Sequence, residues 1–286
     1  MADSRSFRPW ADRLMAGFFA LSTAIVVAVF LILIGQLIWF GAGAISWEFL
    51  TENPVNAGRE GGIASILVST GLVVGVCLAV ALPLGLATAV VLAEFTRKNR
   101  LFGTLIGRSL DVLSGVPSIV IGLFGNVFFC QIMGLGFSIL AGGLTLACMV
   151  LPLLIRTTAE GLRAVPASYR MGGAALGISK TAMLAHVLLP AAFPSLVVGS
   201  VLSLGRASAE TAALIFTSGY VDRMPSSIWD SGRTITVHIY DLAMNVPGGN
   251  RNAYGAALVL LCLLFLINRS AALLADKWHP QRLEKL

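Results

Sequence analysis

The chain has 286 residues, 57% hydrophobic and only 12% charged, with a net charge of +6 and a mean hydropathy of +0.86. Soluble domains carry about 25% charged residues, so there is too little polar surface here to cover a water-soluble globule and too much apolar sequence for a disordered chain. No basic cluster is interleaved with aromatics, so a nucleic-acid partner is excluded; the composition is that of a polytopic membrane protein surrounded by membrane lipid.

A transmembrane helix needs about 20 mostly apolar residues. Leu14 to Phe40 carries no charge. It far exceeds the roughly 7–15 residues of a signal-peptide core, so it is predicted to be an uncleaved anchor, although Arg5, Arg8 and Arg13 precede it and Ala42-Gly43-Ala44 mimics a cleavage site. Ile63 to Ala93 is the second charge-free run, and Gly71 and Gly75, four apart, mark a packing face on it. Val112 to Ile155 runs 44 residues without a charge. At 1.5 Å per residue that is about 66 Å of helix, two crossings of a ~30 Å core. The break is predicted near Gln131, Gly134 and Gly136. Within the third span, Ser114-Gly115-Val116-Pro117-Ser118 is either a kink for packing or a loosened stretch that frees backbone groups beside a path.

The stretch from Arg156 to Pro190 follows the fourth span. It reads as two short helices, Ala167–Leu176 and Ser179–Leu188, with Gly177 supplying a left-handed C-terminal position and Ser179 an N-cap. Pro190 marks entry to the fifth span, Ala191 to Ser218. Gly172 to Thr181 is not a phosphate-binding loop, because position 178 is Ile and Lys180 comes two residues late.

The fifth span contains Arg206 and Glu210, four apart and so on one helical face. A central membrane charge costs about 2.5–3.5 kcal/mol on insertion scales and usually faces a cavity or a partner. The pair is either a self-neutralising packing element, or an anion site in which Arg206 holds two oxygens and Glu210 balances it. Ser203 and Thr211 are candidate hydroxyl donors beside it. Gly219 to Asn252 forms an outer loop in which Trp229, Ile235, Ile239 and Leu242 are expected to make one apolar stripe of an interfacial helix. Ala253 to Ile267 begins a sixth span that runs to about Leu274. The fold class is therefore all-α, with six transmembrane helices.

With the N-terminus inside, fifteen Lys and Arg lie in cytoplasmic segments and four outside, leaving Arg206 in the membrane. That bias places both termini in the cytoplasm. Glu94 and Asp111 are expected to pair structurally with Arg97, Lys98 or Arg108. Cys77, Cys130, Cys148 and Cys262 lie in apolar runs, and His186, His238 and His279 are scattered, so no metal site is expected. An intramembrane enzyme is disfavoured, since His-Glu-x-x-His and Gly-x-Ser-x-Gly are both missing. A secondary transporter would show a repeated half and ion-binding carboxylates, and Glu210 is the only central one.

The loop carries a specific resemblance. Gly177, nine residues, Val187, one residue, then Leu189-Pro190 follows the spacing of the loop motif of permeases from type I ABC importers, with Met171-Gly172-Gly173 where that family has Glu-Ala-Ala. Gly61-Gly62-Ile63, Pro83-Leu84-Gly85 and Leu92-Ala93-Glu94-Phe95 are similar to the second span of the phosphate-specific permeases. Leu113 through Phe124 resembles their third span, and Gly205 through Thr217 their fifth. The short N-terminus and long last outer loop look like the PstA-type subunit more than the PstC-type. The resemblance implies a type I permease fold divided into an anchor region (1–60), a permease core (61–275) with a coupling loop at 157–190, and a cytoplasmic tail (276–286). It implies inner-membrane placement and ATP-driven phosphate import by a non-enzymatic subunit. The implied partners are a PstC-type permease, two PstB-type ATPases that bind ATP and Mg, and a PstS-type binding protein. No cofactor is implied on this chain itself. Alternatives are another oxyanion (phosphonate, sulfate or molybdate). The implied path residues are Arg206, Glu210, Arg156, Ser203, Thr211, Ser114 and Ser118. The implied ATPase contacts are Tyr169, Arg170, Met171, Gly172, Gly173, Ala174, Gly177 and Pro190.

Overall fold

The computed structural model describes residues 9–96 and 100–277. Helix α1 (Pro9–Gly41) stands apart from the core and lies mainly along α12 (Asn250–Lys277). The contact is close at one end. A Cβ on Gly41 would sit 2.7 Å from the Tyr254 carbonyl oxygen, and the Phe40 and Tyr254 rings are 5.3 Å apart. The rest of α1 is exposed along its length, as an apolar helix facing lipid would be.

A short cap follows. Ser46 accepts a hydrogen bond from the Phe49 amide at 3.1 Å and starts α2 (Trp47–Thr51). Then β1 (Pro54–Val55) pairs antiparallel with β2 (Glu60–Gly61), Pro54 opposite Gly61.

The core is built from α3 (Ala64–Val90), α6 (Ile139–Ala164) and α9 (Leu189–Ser208), with α6 the most enclosed. Small residues set the spacing of α6 and α9. A Cβ on Gly161 would collide with Ser195 Cβ, and one on Gly199 with Thr157 Oγ1. No described residue of this chain comes within 4 Å of a Cβ placed on Gly71 or Gly75, so the face they mark is not used for packing within the chain.

Among the described residues, five helices are long and apolar enough to cross a membrane, and a bent pair of helices passes the same test taken together. That pair is α4 (Arg100–Gly115) and α5 (Ser118–Gly125), the latter extended by a π-helical stretch Asn126–Ile132. The chain turns 99° between the two, at the Ser114–Ser118 stretch where the sequence admits a kink, and α4 begins at Arg100, before the charge-free run. Pro117 has no N–H to donate, and it drives Val116 out of helical geometry. The loop after Ile132 contains Gly134 and Gly136 at φ +72° and +61°, where the sequence predicts the break.

Two further boundaries are corrected. The fifth span begins earlier than Pro190, because α8 (Lys180–Met183) runs through a π-helical turn, Leu184–Leu188, directly into α9. Such a wider turn relieves the clash between a proline ring and the carbonyl four residues before it. The span also ends earlier, at Ser208. Beyond it, Glu210 Oε1 accepts from the Ala213 amide at 3.4 Å and opens α10 (Ala212–Ile215). This capping bond satisfies a donor that continued helix would satisfy otherwise.

The outer loop folds inward. In α11 (Ile235–Met244), Ile235 and Leu242 are fully buried and Ile239 packs beside them, while Trp229 lies outside the helix and is exposed. The apolar stripe of the helix is held within the protein. Thr70 Oγ1 accepts from the Ile235 amide at 2.9 Å, and Thr236 Oγ1 donates to the Glu210 carbonyl at 2.6 Å.

Candidate functional site: a two-arginine cavity and a docking loop

The bend between α4 and α5 opens a cavity of about 260 Å³ against α6 and α9. Its lining includes Ser114 and Val116 at the bend, Met149, Pro152 and Arg156 of α6, and Arg206 of α9. The volume falls below the roughly 300–1,000 Å³ of pockets for drug-sized ligands, which suits a small ion. The C-terminal end of α4 and the N-terminal end of α5 meet here, so their opposite dipoles offset each other.

The expected path residues divide into two groups. Arg206, Arg156 and Ser114 meet around the cavity, whereas Ser118, Ser203, Glu210 and Thr211 do not line it. Ser203 is fully buried on the α9 face that Gly199 and Ala207 turn toward α6, and its Oγ has no hydrogen-bond partner. Because α9 stops at Ser208, Glu210 and Thr211 leave the helical face of Arg206. Among the described residues the ion pairs are Arg156–Asp111, Arg170–Glu94 and Arg233–Asp241, so Arg206 and Glu210 are not paired with each other.

These pairs also revise the expected partners of Asp111 and Glu94. Asp111 meets Arg156, not Arg108. Glu94 takes a two-nitrogen bridge from Arg170, with Nη2 at 2.6 Å and Nε at 3.2 Å from Oε1. Arg97 and Lys98 lie outside the described residues. Spacing along the chain gives no signal for either contact, since Arg170 and Glu94 are 76 positions apart.

In the loop that follows α6, α7 (Ala167–Ala175) ends in a Schellman motif. The Ile178 amide donates to the Gly173 carbonyl at 3.0 Å and the Gly177 amide to the Ala174 carbonyl at 3.1 Å, with Gly177 at φ +70°. Ser179 then caps α8 by accepting from the Ala182 amide at 3.3 Å. Gly173 leaves room for the Met183 methyl, the flexible end of a side chain that a Cβ there would push aside. Tyr169, Met171, Leu176 and Ile178 are exposed around this turn, as are Gly172, Ala174 and Gly177, whereas Gly173 is buried and Arg170 is drawn inward. Pro190 sits within the continuous helix.

A family model described as "Binding-protein-dependent transport system inner membrane component" matches residues 81–281. The chain belongs to this family of permeases. Among curated relatives, a probable ABC transporter permease of Bacillus subtilis, YqgI, is 31% identical over 92% of this chain and 95% of its own length. The phosphate transport system permease protein PstA 2 of Mycobacterium bovis is 31% identical over 87% of this chain and 84% of its own length. PstA of Xylella fastidiosa is 30% identical over 82% of each.

Solved structures agree on the fold of the permease. A bacterial alginate ABC transporter, in complex with its alginate-bound periplasmic protein, superposes with a TM-score of 0.67 at 13% identity, covering 94% of this chain and 96% of that one. The MetNI methionine transporter in an inward-facing conformation gives 0.59 at 18% identity, covering 76% and 94%. The permease is thus a multi-pass inner-membrane component of a type I ABC importer. It performs no catalysis of its own and works with ATPase and substrate-binding partners.

Proposed function

We propose that this permease conducts inorganic phosphate and that Arg206 and Arg156 form its anion site. The observation that carries this reading is the convergence of the two arginines, 50 positions apart in the chain, with Ser114 on one small cavity. A planar guanidinium can bond two phosphate oxygens, and two of them match an anion that carries more than one charge. The names of the PstA relatives support the choice of phosphate among the oxyanions.

In this reading a PstC-type permease closes the path from the other side. A PstS-type protein delivers phosphate, and two PstB-type ATPases grip the part of the 157–190 segment that lies between α6 and the continuous α8–α9 helix. Both termini face the cytoplasm, in keeping with the excess of Lys and Arg on that side. Residues 61–275 form the permease core and residues 1–60 the anchor region, in keeping with α1 lying apart from the core along α12. ATP binding draws the two ATPases together and moves the α7–α8 turn, which is continuous with α9 and therefore with Arg206. The path thus opens to one side at a time.

The test is ATP-driven uptake by the complete transporter in proteoliposomes. Phosphate is expected to drive it, with loss of uptake in Arg206→Ala while the complex still assembles. Uptake of sulfate, molybdate or phosphonate in its place would transfer the reading to that oxyanion. Normal phosphate uptake in Arg206→Ala would remove the cavity from the path.

A further inference from the structure

Arg156 borders two cavities. Beyond the Ser114–Arg206 cavity it also lines a second, of about 330 Å³, enclosed by Gly103, Gly107 and Asp111 of α4 and by Glu160 and Arg163 of α6. The two differ in charge. The first has two guanidinium groups and no carboxylate in its lining, whereas in the second Asp111 and Glu160 match Arg156 and Arg163. Asp111 holds Arg156 directly, its carboxylate in contact with Nη2.

We propose that Asp111 is a resident competitor for the transported anion, holding Arg156 when the site is empty and retaking it as the anion leaves toward the cytoplasm. This inference rests on the reading of the two-arginine cavity as the anion site. A carboxylate and a phosphate present similar pairs of oxygens to the same guanidinium fork, so one displaces the other. The ion pair is built for exchange. The Arg156 and Asp111 side chains are 43% and 63% exposed, against 16% and 17% for Arg170 and Glu94. An exposed pair is weak in net terms, so a doubly charged anion breaks it easily. Because the carboxylate is tethered, it re-forms the pair without delay once the anion is gone.

The position of Asp111 adds a second argument. It lies on the last turns of α4, beside the 99° bend, and Ser114 Oγ donates to its backbone carbonyl at 2.9 Å. The Arg156–Asp111 contact therefore ties α6 to the segment that forms one wall of the cavity. Release of Arg156 frees that wall and the anion contact together.

The test uses the complete transporter in proteoliposomes preloaded with inorganic phosphate on the cytoplasmic side. Asp111→Asn keeps the shape and removes the competing charge. It is expected to increase inhibition of uptake by internal phosphate about two- to fivefold, the size of one exposed ion pair, and to lower the maximal rate. Asp111→Glu is expected to stay near the native value, and Asp111→Ser provides a second uncharged variant. Unchanged or weaker inhibition in assembled Asp111→Asn and Asp111→Ser transporters overturns the proposal. A purely structural role would lower the unfolding temperature without shifting the inhibition constant, and that result also overturns it. The parent reading fails separately: normal uptake in Arg206→Ala removes the site itself, whereas loss of uptake there with no effect of Asp111→Asn removes only the competitor.

Discussion

Arg170 bridges onto Glu94 and joins α7 to the π-helical stretch Val91–Phe95 that continues α3. The same guanidinium donates to the Val165 and Leu162 carbonyls, each at 2.8 Å, so it also closes the C-terminal end of α6. Both side chains are mostly buried, and the fork geometry is two-nitrogen. Three segments that meet on this side are thereby held in one arrangement, and force applied at the loop reaches two core helices.

Arg170→Ala leaves Glu94 buried without its cation. Breaking such a pair typically costs about 3 kcal/mol or more. A lower unfolding temperature in detergent is expected, together with loss of ATPase co-purification. Retention of the native unfolding temperature with loss of ATPase stimulation alone would instead make Arg170 a direct partner contact.

Gly177 occupies left-handed backbone at φ +70°. Gly177→Ala is expected to cost about 1 kcal/mol, and Gly177→Pro much more, because the ring fixes φ near −65°. In Gly177→Pro transporters the α7–α8 turn is disrupted, so ATP hydrolysis is expected to persist without uptake. The readout is the ratio of phosphate moved to ATP hydrolysed, and an unchanged ratio would remove the turn from coupling.

Gly173→Ala tests the same loop from inside. The added methyl meets only the flexible end of Met183. A modest loss of stability is expected, relieved in the double variant Gly173→Ala with Met183→Val. Thermal unfolding of the single and double variants measures the coupling, and additive losses would count against it.

His238 lies outside the candidate spans, buried beside Arg233 and Asp241. Burial, and then the Arg233 charge, push its pKa down from 6.5 to about 4, while Asp241 acts in the opposite sense. The folded imidazole therefore stays neutral where the unfolded one gains a proton. Stability is expected to fall as pH drops from about 6.5 toward 4, by up to about 3 kcal/mol. Unfolding temperatures measured between pH 7 and 4.5 check this, and the slope should flatten in His238→Asn.

The membrane environment, the near-positions of the spans, and the loop with its Gly177 turn and Ser179 cap are legible in the residues alone. Long charge-free runs point to membrane helices, and turn chemistry is local, so composition and spacing suffice for both. Where helices stop and which charges meet depends on long-range packing. Pro117 marks a bend in sequence, but its 99° angle depends on what α4 and α5 pack against. Arg206 and Glu210 share a face in an ideal helix, yet capping of α10 and the bond from Thr236 take Glu210 off it. Arg156 with Asp111, and Arg170 with Glu94, are brought together by contacts among α3, α4, α6 and α7. Helical periodicity relates residues a few positions apart. Pairs 45 or 76 positions apart depend on how the helices pack.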